Sequence, residues 1–166
     1  MLIGLALLSQ GAAALPRPIE IDLDAANSLA GAAVAACRAQ GRAIAVSIVD
    51  RGGNLVAVQR SDGVGPHNTD ASRKKAFTAL STRSSTLDLA RNAAFDPDAR
   101  NLASLPELLL LGGGVPLRVQ DQVVGAIGVA GGGGAVNDHA CALAAIAAAP
   151  VFDRPPNHLT KPGVQP

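Results

Sequence analysis

A chain of 166 residues with 48% hydrophobic and 16% charged side chains is long enough for one core and too apolar for charge-driven disorder. Its 14 Lys and Arg against 13 Asp and Glu give a formal charge of +1, with no basic stripe for a polyanion, which excludes a general nucleic-acid binder. Three Phe and no Trp or Tyr leave almost no stacking platform for single-stranded bases.

The first stretch, Leu2 to Leu8, is apolar, and Ala12-Ala13-Ala14 follow with Pro16 beyond them. This reads as a signal segment over residues 1–14 without its basic start, and it is too short to span a bilayer. The expected location is therefore periplasmic or secreted, with the cytoplasm as the alternative. One domain is expected over 22–150, then a Pro-rich tail over 151–166.

Within the domain, Asp24 is the expected N-cap of a helix reaching Gln40, and Gly41 stops it. Alternation of apolar positions predicts strands over Ala43–Asp50 and Leu55–Arg60, joined by Arg51-Gly52-Gly53-Asn54. A Gly- and Pro-rich loop over 61–66 precedes a helix from Asn68 to Ser81, and a short helix follows over Thr86–Ala94. Residues 95–106 read as irregular. Leu108–Leu111 reads as a buried strand ended by Gly112-Gly113-Gly114. Val115–Val119 and Val123–Val129 form a second hairpin, and a helix starts at Asn137 or Asp138 and ends near Pro150. Hairpins joined by short turns, with helices before and after, imply an α+β layer fold with an antiparallel sheet.

That last helix is apolar at every position from Ala140 to Ala149, so it has to be covered all round. One sheet covers one side, and a second copy of the chain is the expected cover for the other. Cys37 and Cys141 sit in Ala-rich helical stretches with no zinc spacing. They read as two small buried hydrophobes, their pairing left open.

The glycine runs at 112–114 and 131–134 lack the lysine of a phosphate loop. They read as turns and close backbone contacts, with the 131–134 amides able to hold a carboxylate. Asp50, Asp62, His67 and Asp70 read as a cluster around one hairpin end, where a carboxylate–imidazole pair does acid–base work or the Asp residues merely cap turns. His139 lies in the first turn of the last helix and His158 in the tail. Arg73-Lys74-Lys75 fan out around their helix; if Lys75 points inward it requires a carboxylate or a ligand.

Several runs together carry a resemblance. They are Val49-Asp50-Arg51-Gly52-Gly53-Asn54-Leu55, Gly65-Pro66-His67, Lys75-Ala76-Phe77-Thr78-Ala79, Thr86-x-x-Leu89, Gly113-Gly114-Val115-Pro116-Leu117, Val124–Val129, and Asp138-x-x-Cys141-Ala142. As an ordered set over about 22–149, the chain resembles the GlcG/HbpS-like family, in its haem-binding branch. The resemblance implies a profilin-like fold, an antiparallel sheet flanked by helices, and oligomeric assembly. It also implies haem as cofactor, with roles in iron and redox sensing or haem degradation. By that resemblance Thr86 lies at the haem iron, although Ser84 and Ser85 replace the usual proline-containing context.

Haem needs an apolar slot, an axial donor and cations for its propionates. His67 and Thr86 are the expected iron donors, Lys75 and Arg73 (with Arg60 and Arg83) the expected cations, and Phe77 the nearest aromatic. The competing reading is an enzyme or accessory protein acting on a small carboxylated metabolite, with Asp50 or His67 as acid–base group and Lys75 holding the carboxylate. A third is a structural assembly subunit.

Overall fold

The computed structural model describes residues 18–155. The expected signal segment, His158 and most of the expected tail lie outside them. Asp22 sets the first helix: its carboxylate accepts the Ala25 N–H at 2.7 Å, so α1 runs Leu23–Arg38 and starts ahead of the expected cap at Asp24. The first hairpin is β1 (Ala45–Asp50) and β2 (Leu55–Arg60). Three helices follow, α2 (His67–Thr82), α3 (Thr86–Ala93) and the short α4 (Pro97–Asn101), then one 3-10 turn over Leu102–Ser104. The second hairpin is β3 (Gly114–Val119) and β4 (Gln122–Ala130), and α5 spans Ala135–Ala147.

The four strands form one antiparallel sheet in the order β2-β1-β4-β3. Period-two alternation sorts its side chains. Val46, Ile48, Val115, Leu117, Ile127 and Val129 face the larger core, with Leu29 of α1 and Ile146 of α5. Burying each of the larger aliphatic side chains stabilises the fold by about 1.5–3 kcal/mol. Val49 and Ala126 face the other way, against Ala76 and Ala79 of α2. On that same face the Ser47 and Ser72 hydroxyls pair at 2.7 Å, which satisfies two polar groups inside the layer. The helix lies close: a Cβ on Gly128 would sit 2.0 Å from the Ser72 carbonyl oxygen, so only glycine lets α2 onto the sheet there. The expected α+β architecture, an antiparallel sheet flanked by helices, is the one observed.

The structure answers the open question of the two cysteines and changes two expectations, the run Leu108–Leu111 and the start of the last helix. Cys37 and Cys141 are not separate thiols; they form a disulfide with Cα atoms 5.5 Å apart, tying α1 to α5 inside the larger core. The two helices pack side by side on one face of the sheet, which brings together residues 104 apart in sequence. Leu108–Leu111 is no buried strand. It is an irregular segment, with Leu111 45% exposed. The Leu109 N–H bonds to the Thr78 hydroxyl at 2.8 Å instead of to a neighbouring strand. The helix α5 begins earlier than expected, at Ala135, and is covered on one side only. Cys141, Ala142, Ala145 and Ile146 are buried, whereas Ala140, Ala144 and Ala147 are exposed. Among the described residues no helix is long and apolar enough to cross a membrane.

Candidate functional site

Three elements converge on Gly112-Gly113-Gly114. A Cβ on Gly114 would lie 2.2 Å from the Lys75 carbonyl oxygen and 2.6 Å from Thr86 Cγ2; one on Gly113 would lie 2.9 Å from Asp138 Cβ. The triple glycine is thus the floor on which α2, α3 and α5 approach the start of β3. Lys75 does point inward, 1% exposed, and meets the carboxylate that such burial demands. Its ammonium donates to Asp138 Oδ2 at 2.7 Å and to the Val129 carbonyl at 3.0 Å. The other oxygen of Asp138 accepts the Gly132 N–H at 2.6 Å. The anion held by the 131–134 loop is therefore the protein's own Asp138, a residue 4% exposed. Arg42 donates to the Gly132 carbonyl and braces the loop from outside.

Thr86 opens α3 and is fully buried. Its hydroxyl donates to the Leu111 carbonyl and accepts the Gly114 N–H, both at 2.8 Å. One oxygen lone pair stays unused, but protein covers it. As found, Thr86 ties α3 to the segment ahead of β3, and its oxygen is closed off from solvent.

The other expected site residues do not join Lys75 and Thr86 in one cavity. His67 is the first residue of α2, exposed, with no side-chain hydrogen bond among the described residues. Arg73 faces outward and pairs with Asp70 at 3.1 Å and Glu107 at 3.0 Å. Phe77 lies near the opposite end of α2, in a cleft beside the two hairpin turns. Nor do Asp50 and His67 cluster. Val49 pairs with Leu55 at the turn end of the first hairpin, and Ala45 pairs with Arg60 at the end leading to His67. At roughly 3.3 Å per residue, the strand between them spans about 17 Å. Asp50 instead closes its own turn, accepting the Asn54 N–H at 2.9 Å and the Asn54 amide at 3.1 Å. Partial burial pushes its carboxyl up, but these bonds and those from the Gly52 and Gly53 amides outweigh it and hold it below the ordinary carboxylate value.

His139 is the histidine whose surroundings stand out. Burial pushes its imidazole below the ordinary 6.5; Asp88 opposes this and Arg91 adds to it, so the ring is neutral at pH 7. Its Nδ1 is buried with no hydrogen-bond partner. Val136, one turn earlier on α5, is 58% exposed. Leu111 adjoins Gly112, which packs against Leu87 of α3 and Ala135 of α5. In the sequence His139 stands out only as a residue of a first helical turn. Its burial against α3 depends on tertiary packing. Among the described residues no group of three or more His, Cys, Asp or Glu could hold a bare metal ion.

The family described as "Haem degrading protein HbpS-like" matches residues 21–147. A crystal structure of a double mutant of Streptomyces reticuli HbpS is 36% identical, covers 88% of this chain and 97% of its own, and superposes with a TM-score of 0.76. An uncharacterized 15.0 kDa protein of the dhaT-dhaS intergenic region of Citrobacter freundii is 34% identical over 116 residues, 68% of this chain and 80% of its own length. Protein GlcG of Escherichia coli is 34% identical over 86 residues, 52% of this chain and 63% of GlcG.

Proposed function

The chain belongs to the HbpS-like family, and from that premise we propose that it binds haem beside Leu111 and the first turns of α5, which carry Val136 and His139. The observation that carries the reading is the match of residues 21–147 to the family described as haem degrading and HbpS-like. The face itself supports it. Leu111 and Val136 are large apolar side chains left half-exposed, and a porphyrin needs an apolar wall of that kind. The neutral imidazole of His139 is the protonation state that ligates iron. His67, exposed at the start of α2, is the second nitrogen donor available to iron. Thr86 lies beneath Leu111 and acts by fixing that wall. When bound, haem supplies a redox-active iron; the chain's part is to hold the macrocycle, keep one side dry and present a nitrogen.

The functional unit in this reading is a homo-oligomer. Ala140, Ala144 and Ala147 form an exposed strip of small side chains on α5, and a second copy covers it at close approach. The protein works in an oxidising compartment, the periplasm or outside the cell. The buried Cys37–Cys141 bridge supports this, because such bridges persist where no thiol pool reduces them.

Titration of the purified chain with haemin, following the Soret band, tests the reading against His139→Ala, His67→Ala and Thr86→Ala. Saturable binding that falls at least about tenfold in one histidine variant supports it. No saturable Soret change, or identical binding in all three variants, contradicts it.

A further inference from the structure

The second hairpin turn, the first hairpin turn and the end of α2 enclose a cleft of about 670 Å³ that the haem reading does not use. Its position follows from the sheet register. Asp50 pairs with Gly125, so residues 51–54 and 120–121 lie at the same end, where α2 also finishes. Arg51, Arg83 and Arg118 line it, with Phe77, Leu80 and Val123 as its apolar side.

The charge there is compensated only in part: Asp121 lies in the lining, and the Asp153 carboxylate accepts the Asp121 N–H at 2.8 Å beside it. Arg118 donates to the Asp121 carbonyl at 3.0 Å and the Arg83 carbonyl at 3.2 Å, both uncharged acceptors. Arg51 reaches only the Ile19 carbonyl, at 3.5 Å. None of the three forms an ion pair among the described residues, where the pairs are Arg73 with Asp70 and Glu107, Lys74 with Asp70, and Lys75 with Asp138. Asp121 is the one carboxylate in the lining. Three guanidiniums and one carboxylate thus share a cleft in a chain whose total formal charge is +1.

The backbone shows a second concentration. Among the described residues the non-glycine positions with left-handed φ are Arg83 (54°), Gln120 (51°) and Asp121 (62°). Two of them line the cleft and the third adjoins it. Asn-Gly or Asp-Gly suits such a hairpin turn far better than Gln-Asp, and Gly is the usual residue at a left-handed helix end. Left-handed non-glycine residues gather at ligand sites, where strain is retained because the side chains are needed.

We propose that this cleft binds a small organic anion with two or more negative charges, carboxylate or phosphate, on an apolar or aromatic frame. Guanidinium forks match both anions bidentately. Three of them call for more than one charge, and Phe77, Leu80 and Val123 call for an apolar body. The lining holds no His, Cys or Met, so a haem iron finds no nitrogen or sulphur donor there.

Calorimetric titration of the purified chain at low salt tests this with 1-naphthyl phosphate, phthalate and inorganic phosphate. At least one organic anion is expected to saturate, at least about tenfold tighter than inorganic phosphate. Arg83→Gln with Arg118→Gln weakens it at least about tenfold, and Arg51→Gln alone also weakens it. The two organic probes tell a phosphate preference from a carboxylate preference. The haemin Soret titration stays unchanged in these variants, and their urea midpoints report an intact fold. The proposal is overturned if neither organic anion saturates below about 10 mM, if the arginine variants bind like the parent, or if phosphate alone binds as well. Loss of haemin binding in the double variant also overturns it, by making the cleft part of the haem site.

Discussion

Replacing Lys75 by Met keeps the volume of the buried side chain and removes its charge. Asp138 then retains only the Gly132 N–H, and the Val129 carbonyl loses the ammonium as a donor. Breaking one side of a buried pair costs about 3–5 kcal/mol, because the remaining charge stays desolvated. Against a total of about 5–15 kcal/mol for a domain of this kind, that is about a fifth of the stability or more. The double variant Lys75→Met with Asp138→Asn removes both charges and leaves the Asn oxygen free to accept the Gly132 N–H. It is expected to be more stable than the sum of the single losses by at least about 1 kcal/mol, the coupling of groups in contact. Urea unfolding followed by far-UV circular dichroism measures all three, and with a slope of about 2 kcal/mol per molar the single variant loses roughly 2 M in midpoint. A loss below about 1 kcal/mol in Lys75→Met, or strict additivity in the double variant, would refute the claim that this pair anchors the glycine floor.

Reducing the Cys37–Cys141 bridge releases a closure between residues 104 apart, worth about 4.7 kcal/mol in the chain-entropy account. Unfolding of Cys37→Ala with Cys141→Ala against the oxidised parent measures it; equal midpoints contradict the account. Acidification weakens the fold through His139, because its folded value lies below the ordinary 6.5 and the unfolded chain takes up the proton first. Its contribution is complete above that value and is lost as pH falls from 6.5 towards the folded value. The unfolding midpoint of His139→Gln between pH 7.5 and 5 is therefore expected to fall less than that of the parent. Asp50 adds a separate acid loss, present above 3.8 and lost as pH drops through its lowered folded value. The Asp50→Asn midpoint below pH 4 isolates it, and a parent-like acid limb in that variant contradicts it.

Local pattern made much of this fold legible. The strand Leu55–Arg60 and the two hairpins follow from alternation and from turn residues, which act within a few positions. The need of an inward Lys75 for a carboxylate is legible too, since desolvation is a property of the residue. Its partner is not, because Asp138 lies 63 positions away and meets it only once α5 crosses behind the glycine floor. The Cys37–Cys141 bridge escapes for the same reason. The run Leu108–Leu111 misleads because an apolar run reads alike in a strand and in an irregular segment, and the Thr78 hydroxyl that takes the Leu109 N–H sits on another element. His67 and Asp50 look adjacent along the chain, yet β1 and β2 hold them at opposite ends. The arginine cleft gathers positions 51, 83 and 118, which no spacing rule connects.

The anomalous iron signal in crystals of the haemin-loaded protein locates the bound haem. A single strong iron peak on the face of Leu111 and Val136, within coordination distance of His139 or of His67, is the predicted result. An iron peak in the cleft of Arg51, Arg83 and Arg118, or haemin absent from every site, would contradict it.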